Sequence, residues 1–136
     1  MTRSALSLAF LGLAAPCLLL PAPVTASAQS LSPTLQKIKD AGAITIGHRD
    51  SSVPFSYLDN DQKPIGFSLE LCDLVVARIK TKLGQPALKV AYQAVNSSNR
   101  IPLVKNGTVD IECGSTANTI ARQQEVSYSV DRKSVV

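Results

Sequence analysis

Three short runs of alternating apolar residues, set among helical stretches, restrict this chain to very few architectures. Ala43-Ile44-Thr45-Ile46, then Leu88 with Val90 and Tyr92, then Val109 with Ile111 and Cys113 each show the period of two that marks a strand. Between the first two lies 68–83, where Cys72, Val75, Val76, Ile79 and Leu83 recur at helical spacing while Asp73, Arg78, Lys80 and Lys82 turn outward. Ser68 is placed to cap that helix and Gly84 to stop it. Shorter helices are expected over 35–41, capped by Ser32 or Thr34 and stopped by Gly42, from near Ser97 or Ser98 to Asn106-Gly107, and over 118–123. The polar cluster Asp59-Asn60-Asp61-Gln62, between 54–58 and 63–67, predicts a hairpin or an excursion between the first strand and the long helix. The order strand, helix, strand, helix, strand, helix implies parallel strands joined by right-handed crossovers, an α/β layered fold.

Open α/β sheets bind their ligands outside the carboxyl ends of the strands. Three such exits are legible: Gly47-His48-Arg49, Val95-Asn96-Ser97-Ser98-Asn99-Arg100 and Gly114-Ser115-Thr116-Ala117-Asn118. In a parallel sheet they share one edge, and each leads toward a helix N-terminus that favours an anion. Arg122, just beyond the third exit, is placed to lean over the same edge. A guanidinium offers a planar fork of donors matched to a carboxylate, so the edge suits a small dicarboxylate. Taken singly, each residue has a plainer reading. A strand-end arginine is commonly solvated or paired at the surface, Ser97 and Ser115 would serve as helix caps, and Phe55 beside Pro54 as core. His48, of opposite parity to Arg49, reads as structural. The joint occurrence at one edge is what points to binding.

The first 28 residues do not read as fold. Arg3 is followed by an apolar run over 5–24 and by Ala26-Ser27-Ala28, the pattern of a cleaved secretory signal peptide. A spanning helix of ~20 residues is the alternative, and Pro16, Pro21 and Pro23 oppose it. Pro16 also stands where a lipoprotein signal at Cys17 would want a small residue. The remainder, 29–136, is long enough for one modest core and one domain. Its positive charges are scattered and the chain has no Trp, which argues against a nucleic-acid surface. With His48 the only histidine, metal binding is not expected. Cys72 and Cys113 form an even pair in an exported chain, which permits a disulfide. Two buried thiols are the alternative, and both readings stay open.

The stretches Gly47-His48-Arg49-Asp50-Ser51-Ser52-Val53-Pro54-Phe55-Ser56-Tyr57, Asn99-Arg100-Ile101-Pro102-Leu103-Val104-Lys105-Asn106-Gly107 and Glu112-Cys113-Gly114-Ser115-Thr116 resemble, in order and spacing, the periplasmic glutamate/aspartate-binding proteins of amino-acid ABC importers. The resemblance covers 35–128. It implies a periplasmic-binding-protein-like fold of type II, of which this chain is the first lobe, over 29–136, without the second. It further implies a monomer that takes L-glutamate or L-aspartate in the periplasm and passes it to a membrane permease, with no cofactor and no covalent chemistry. On this resemblance Arg49, Ser97 and Arg100 hold the acidic side chain, Ser115 helps anchor the α-amino and α-carboxylate end, and Arg122 pairs with the α-carboxylate.

Two departures bear on that expectation. Ala117 stands where relatives usually carry Thr or Ser, and Asp131-Arg132-Lys133-Ser134 stands in place of an apolar strand leading to the second lobe. The end reads as truncated, and a single lobe is expected to bind glutamate poorly because exposed ion pairs are screened and weak. Two other readings of the sequence stand beside this one. One is an enzyme on the same scaffold, such as a cyclohexadienyl dehydratase or a transglycosylase with an appended binding lobe. It needs a placed acid or base, for which His48 and Glu112 are the candidates, neither with an evident partner. The other is a non-functional truncated remnant.

Overall fold

The structure, a computed structural model, describes residues 30–129. The signal peptide expected over 1–28 and the charged end at 131–134 lie outside the described residues. Ile44 and Ile46 on β1 (Ala43–His48) are at most 1% exposed and form the centre of the core. β1 runs between β5 (Lys89–Ala94) and β6 (Ile111–Glu112), parallel to both, in the order β5-β1-β6. The expected parallel sheet is therefore present, with two of its strands bounded differently. β5 starts one residue later than the apolar alternation and runs on to Ala94. β6 pairs over only Ile111 and Glu112, because its ladder continues as single bonds, Asp110 N–H to Thr45 O (2.9 Å) and Cys113 N–H to Gly47 O (2.9 Å).

One face of the sheet is covered by α1 (Pro33–Ala41) and α2 (Phe67–Leu83). Ser32 caps α1, accepting from Leu35 N–H, and Gly42 ends it at φ 62°. The apolar face of α2 brings Leu69, Cys72, Val76 and Leu83 against Ile38, Ile44 and Ile46. Val75, expected on that buried face, is instead 42% exposed, because the helix turns Leu71, Leu74 and Val75 away from the sheet. Ser68 is also not the cap. Gly66 caps α2 at φ 124°, and the Ser68 hydroxyl donates to Gly114 O at 2.8 Å. Between β1 and α2 the excursion is a separate antiparallel sheet of β2 (Ser51–Ser52), β3 (Ser56–Leu58) and β4 (Pro64–Ile65). Asp59 organises its turn, accepting from Asp61 N–H and Lys63 N–H.

Two short helices complete the described chain, α3 (Arg100–Lys105) and α4 (Ile120–Gln123). Neither serine begins α3. Asn96 Oδ1 accepts from Ser98 N–H and Asn99 N–H and turns the chain into the helix. Cys72 on α2 and Cys113 beyond β6 are joined by a disulfide, their Cα atoms 6.3 Å apart. With the Ser68 bond, this fastens the loop after β6 to the first turns of α2.

Candidate functional site

The register of the sheet decides what meets at its carboxyl edge. His48 is level with Ala94, and Gly47 with Glu112. Past the paired residues the ladder persists, Val95 N–H donating to His48 O at 2.8 Å. Gly47 leaves room on the α3 side, where a Cβ would lie 3.0 Å from Val109 Cγ1 and 3.6 Å from Glu112 Cγ. The Glu112 side chain uses that room. Its carboxylate is buried beside Gly114, where any Cβ would collide with Glu112 Oε1 and come within 2.9 Å of Arg49 Cγ. Gly114 is thus the point at which the first and third exits touch.

Three arginines lie within electrostatic reach of the Glu112 carboxylate beside it. Arg49 follows β1 and is half-buried, its backbone N–H donating to Ser56 Oγ at 2.8 Å. Arg100 opens α3 and is only 8% exposed, with Nε buried and without a hydrogen-bond partner among the described residues. Burial pushes its guanidinium pKa down, the Glu112 charge opposes this, and Arg49 and Arg122 add to it by repulsion. Arg122 on α4 donates from Nη1 to Ala117 O at 2.9 Å, so the backbone of Ala117 holds the arginine although its side chain offers no hydroxyl. Among the described residues none of the three arginines has a carboxylate within ion-pair distance.

Glu112 is the acid inside this ring. Burial pushes its carboxyl pKa up, while the Thr116 hydroxyl and then Arg100, Arg49 and Arg122 pull it down. Tyr128 OH and Arg100 Nε are buried without a hydrogen-bond partner among the described residues, and Glu112 Oε1 and Thr116 Oγ1, though close enough for the hydroxyl to act on the carboxylate, form no well-aligned bond. Buried polar atoms without partners are costly to a fold, so among the described residues this cluster holds unused hydrogen-bonding capacity. Chemically the edge presents three guanidinium forks against one carboxylate, a net excess of donors for an anionic group.

Of the residues singled out from sequence, Arg49, Arg100 and Arg122 are brought within electrostatic reach of one another and of Glu112. Ser115 lies half-buried in the loop beside Gly114. Ser97 is exposed in the turn before α3 and makes no hydrogen bond among the described residues. Glu112, Thr116 and Tyr128 were not singled out for binding. For Glu112 the alternation gave no signal, because Asp110 and Glu112 both fall at the polar positions between Val109, Ile111 and Cys113. His48 is buried, with Nδ1 3.3 Å from Arg49 O and 3.6 Å from Asp50 Oδ1, and its ring meets Tyr92 edge-on. A cavity of about 450 Å³ adjoins the cluster between α2, α3, β6 and 126–129. Glu112, Thr116 and Tyr128 line it beside the apolar Leu71, Val75 and Val104, and the arginines do not. Among the described residues no helix is long and apolar enough to cross a membrane, and no group of three His, Cys, Asp or Glu side chains is arranged to hold a metal ion.

Residues 44–135 match the family of bacterial extracellular solute-binding proteins, family 3. The chain belongs to that family. Among its family-3 relatives is the L-glutamate/L-aspartate-binding protein of Pseudomonas aeruginosa, 57% identical over 113 residues, which are 82% of this chain and 37% of the relative. The glutamate/aspartate import solute-binding protein of Escherichia coli K12 is 48% identical over 103 residues, 76% of this chain and 34% of that one. The family-3 chain therefore spans about a third of the length of these curated relatives. Among solved structures, the solute receptor for L-cysteine of Neisseria gonorrhoeae superposes with a TM-score of 0.58 at 31% identity, over 68% of this chain and 36% of that one. The fold is that of part of a type II periplasmic amino-acid-binding protein.

Proposed function

We propose that this chain is the first lobe of a periplasmic receptor for acidic amino acids, which captures L-glutamate or L-aspartate and delivers it to the membrane permease of an ABC importer. The observation that carries this reading is the meeting of Arg49, Arg100 and Arg122, from three separate exits of one sheet, with no carboxylate of the described residues in ion-pair distance. Two carboxylates on one small ligand ask for two separate guanidiniums, because an unpaired charge in a closed site is costly. Arg49, Arg100 and Ser97 take the side-chain carboxylate, and Arg122 with Ser115 takes the α-carboxylate and α-amino end. The names of the Pseudomonas aeruginosa and Escherichia coli relatives, each citing glutamate and aspartate, support this choice over other amino acids. The protein acts by binding alone, as a monomer, after removal of a signal peptide at Ala28.

Calorimetric titration of the full-length gene product with L-glutamate, L-aspartate and L-glutamine tests the assignment. Arg122→Ala should abolish binding of all three. Arg100→Ala should weaken glutamate and aspartate by at least about 100-fold more than glutamine, the loss expected when a charge-assisted pair is removed. Equal losses for all three ligands in Arg100→Ala would show that Arg100 does not read the side chain.

A further inference from the structure

Glu112 has the wrong sign for a site that gathers anions. Its carboxylate lies within electrostatic reach of Arg49 just after β1, Arg100 on α3 and Arg122 on α4, and it shares a cavity lining with Thr116 and Tyr128. It makes no ion pair within 4.0 Å with any of the arginines, and Oε1 is buried with no hydrogen-bond partner among the described residues. A structural buried carboxylate is normally held by close, well-aligned partners, because the Coulombic return must offset desolvation. Here no such close partner is present among the described residues, although Glu112 Oε1 and Arg49 Cγ both crowd the same Gly114. An uncharged side chain of the same shape keeps that packing.

What the charge does alter is the potential felt by an anion arriving at the arginines. Three guanidiniums in a half-buried edge attract a carboxylate far more strongly than they would in water, and a like charge beneath them opposes that attraction. We propose that Glu112 is a positioning charge that moderates the arginine edge, weakening its hold on the ligand's side-chain carboxylate so that a captured anion can be released. This rests on the acidic-ligand reading given above and adds a residue that tunes it. The opposite role, an acceptor for the ligand's ammonium group, would make Glu112 favourable to binding and so predicts the opposite sign.

The test is Glu112→Gln in the full-length gene product, an isosteric change that removes only the charge. L-glutamate, L-glutamine and glutarate are titrated by calorimetry, and L-glutamate dissociation is followed by stopped flow. The expected result is about tenfold tighter L-glutamate binding, carried by slower dissociation, the scale of one like charge removed at close range. L-glutamine should change by less than about threefold, since its amide carries no charge for Glu112 to oppose. Melting at pH 7 should be no lower than in the wild type, so the two effects together exclude simple damage. Weaker or unchanged glutamate binding, an equal gain for glutamine, or failure of the variant to fold would each overturn the proposal. If the wild type binds glutarate but not L-glutamate, the amino-acid reading fails while a gain for glutarate in Glu112→Gln still supports the moderating charge. If the wild type binds L-glutamate and the variant binds it no tighter, the reading stands and the Glu112 inference falls. If neither protein binds either anion, both fall.

Discussion

Reducing the Cys72–Cys113 disulfide should cost this lobe a large share of its stability. The bond closes a loop with a sequence separation of 41 residues. On the chain-entropy account, opening a loop of that length returns to the unfolded chain a freedom worth on the order of 4 kcal/mol at 25 °C. Both sulfurs are buried, Cys72 at 8% and Cys113 at 2% exposure, and a free thiol packs as a small hydrophobe, so reduction leaves no large cavity to add to that figure. A domain of this size has only about 5–15 kcal/mol to lose. At roughly 4–8 °C per kcal/mol, the expected fall in melting temperature is about 15–30 °C. Circular dichroism melts of the oxidised and the fully reduced protein measure it directly. Cys72→Ser/Cys113→Ser should melt near the reduced wild type and be indifferent to reductant. Oxidised and reduced melts within about 3 °C of each other would refute the loop-closure reasoning. The consequence reaches the site, because Cys113 adjoins Gly114, whose carbonyl otherwise holds to α2 through the Ser68 hydroxyl.

The glycines and Glu112 provide two further checks. Gly66 sits at φ 124°, and a Cβ there would lie 2.6 Å from Phe55 O and 2.9 Å from Pro54 O, the carbonyls that accept from Ser68 and Phe67 N–H. Gly66→Ala should cost about 2–5 kcal/mol in denaturant unfolding, while Gly84→Ala, at φ 65° with open space around it, should cost about 1 kcal/mol. Equal costs would contradict the close approach. For Glu112, burial raises the carboxyl pKa above its ordinary value, so the folded chain holds that proton more tightly than the unfolded one. Its contribution to stability is complete below the unfolded pKa and is lost as the pH rises through the raised folded value. The melting temperature of Glu112→Gln relative to the wild type should therefore climb as the pH increases across that window. A gap that shrinks with rising pH would reverse the sign.

The sheet was legible in the sequence because period-two alternation is a local property, and Ile44 and Ile46 fall where it puts them. The limits of β5 and β6 were not, since pairing depends on how far the neighbouring strand runs. Ser68 shows the same limit at a helix end. It has the chemistry of a cap, yet its partner, Gly114 O, lies 46 residues away. The arginine edge could be anticipated because parallel strands bring their exits together whatever the details. The burial of Arg100 and of Glu112 Oε1 could not, because it depends on tertiary packing, and for Glu112 on the space left at Gly47 and Gly114, that only the folded sheet defines. Ser97 looked equivalent to Ser115 by position, but the Asn96 turn leaves it exposed.

The central claim is that three arginines far apart in sequence form one anion site. Arginine Nε–Hε signals of the full-length gene product, followed by NMR during titration with L-glutamate, test it most directly. Arg49, Arg100 and Arg122 should shift together on one isotherm, while Arg78, on the exposed face of α2, stays still. Shifts at Arg78 of the same size, or separate isotherms for the three, would contradict a single site at the sheet edge.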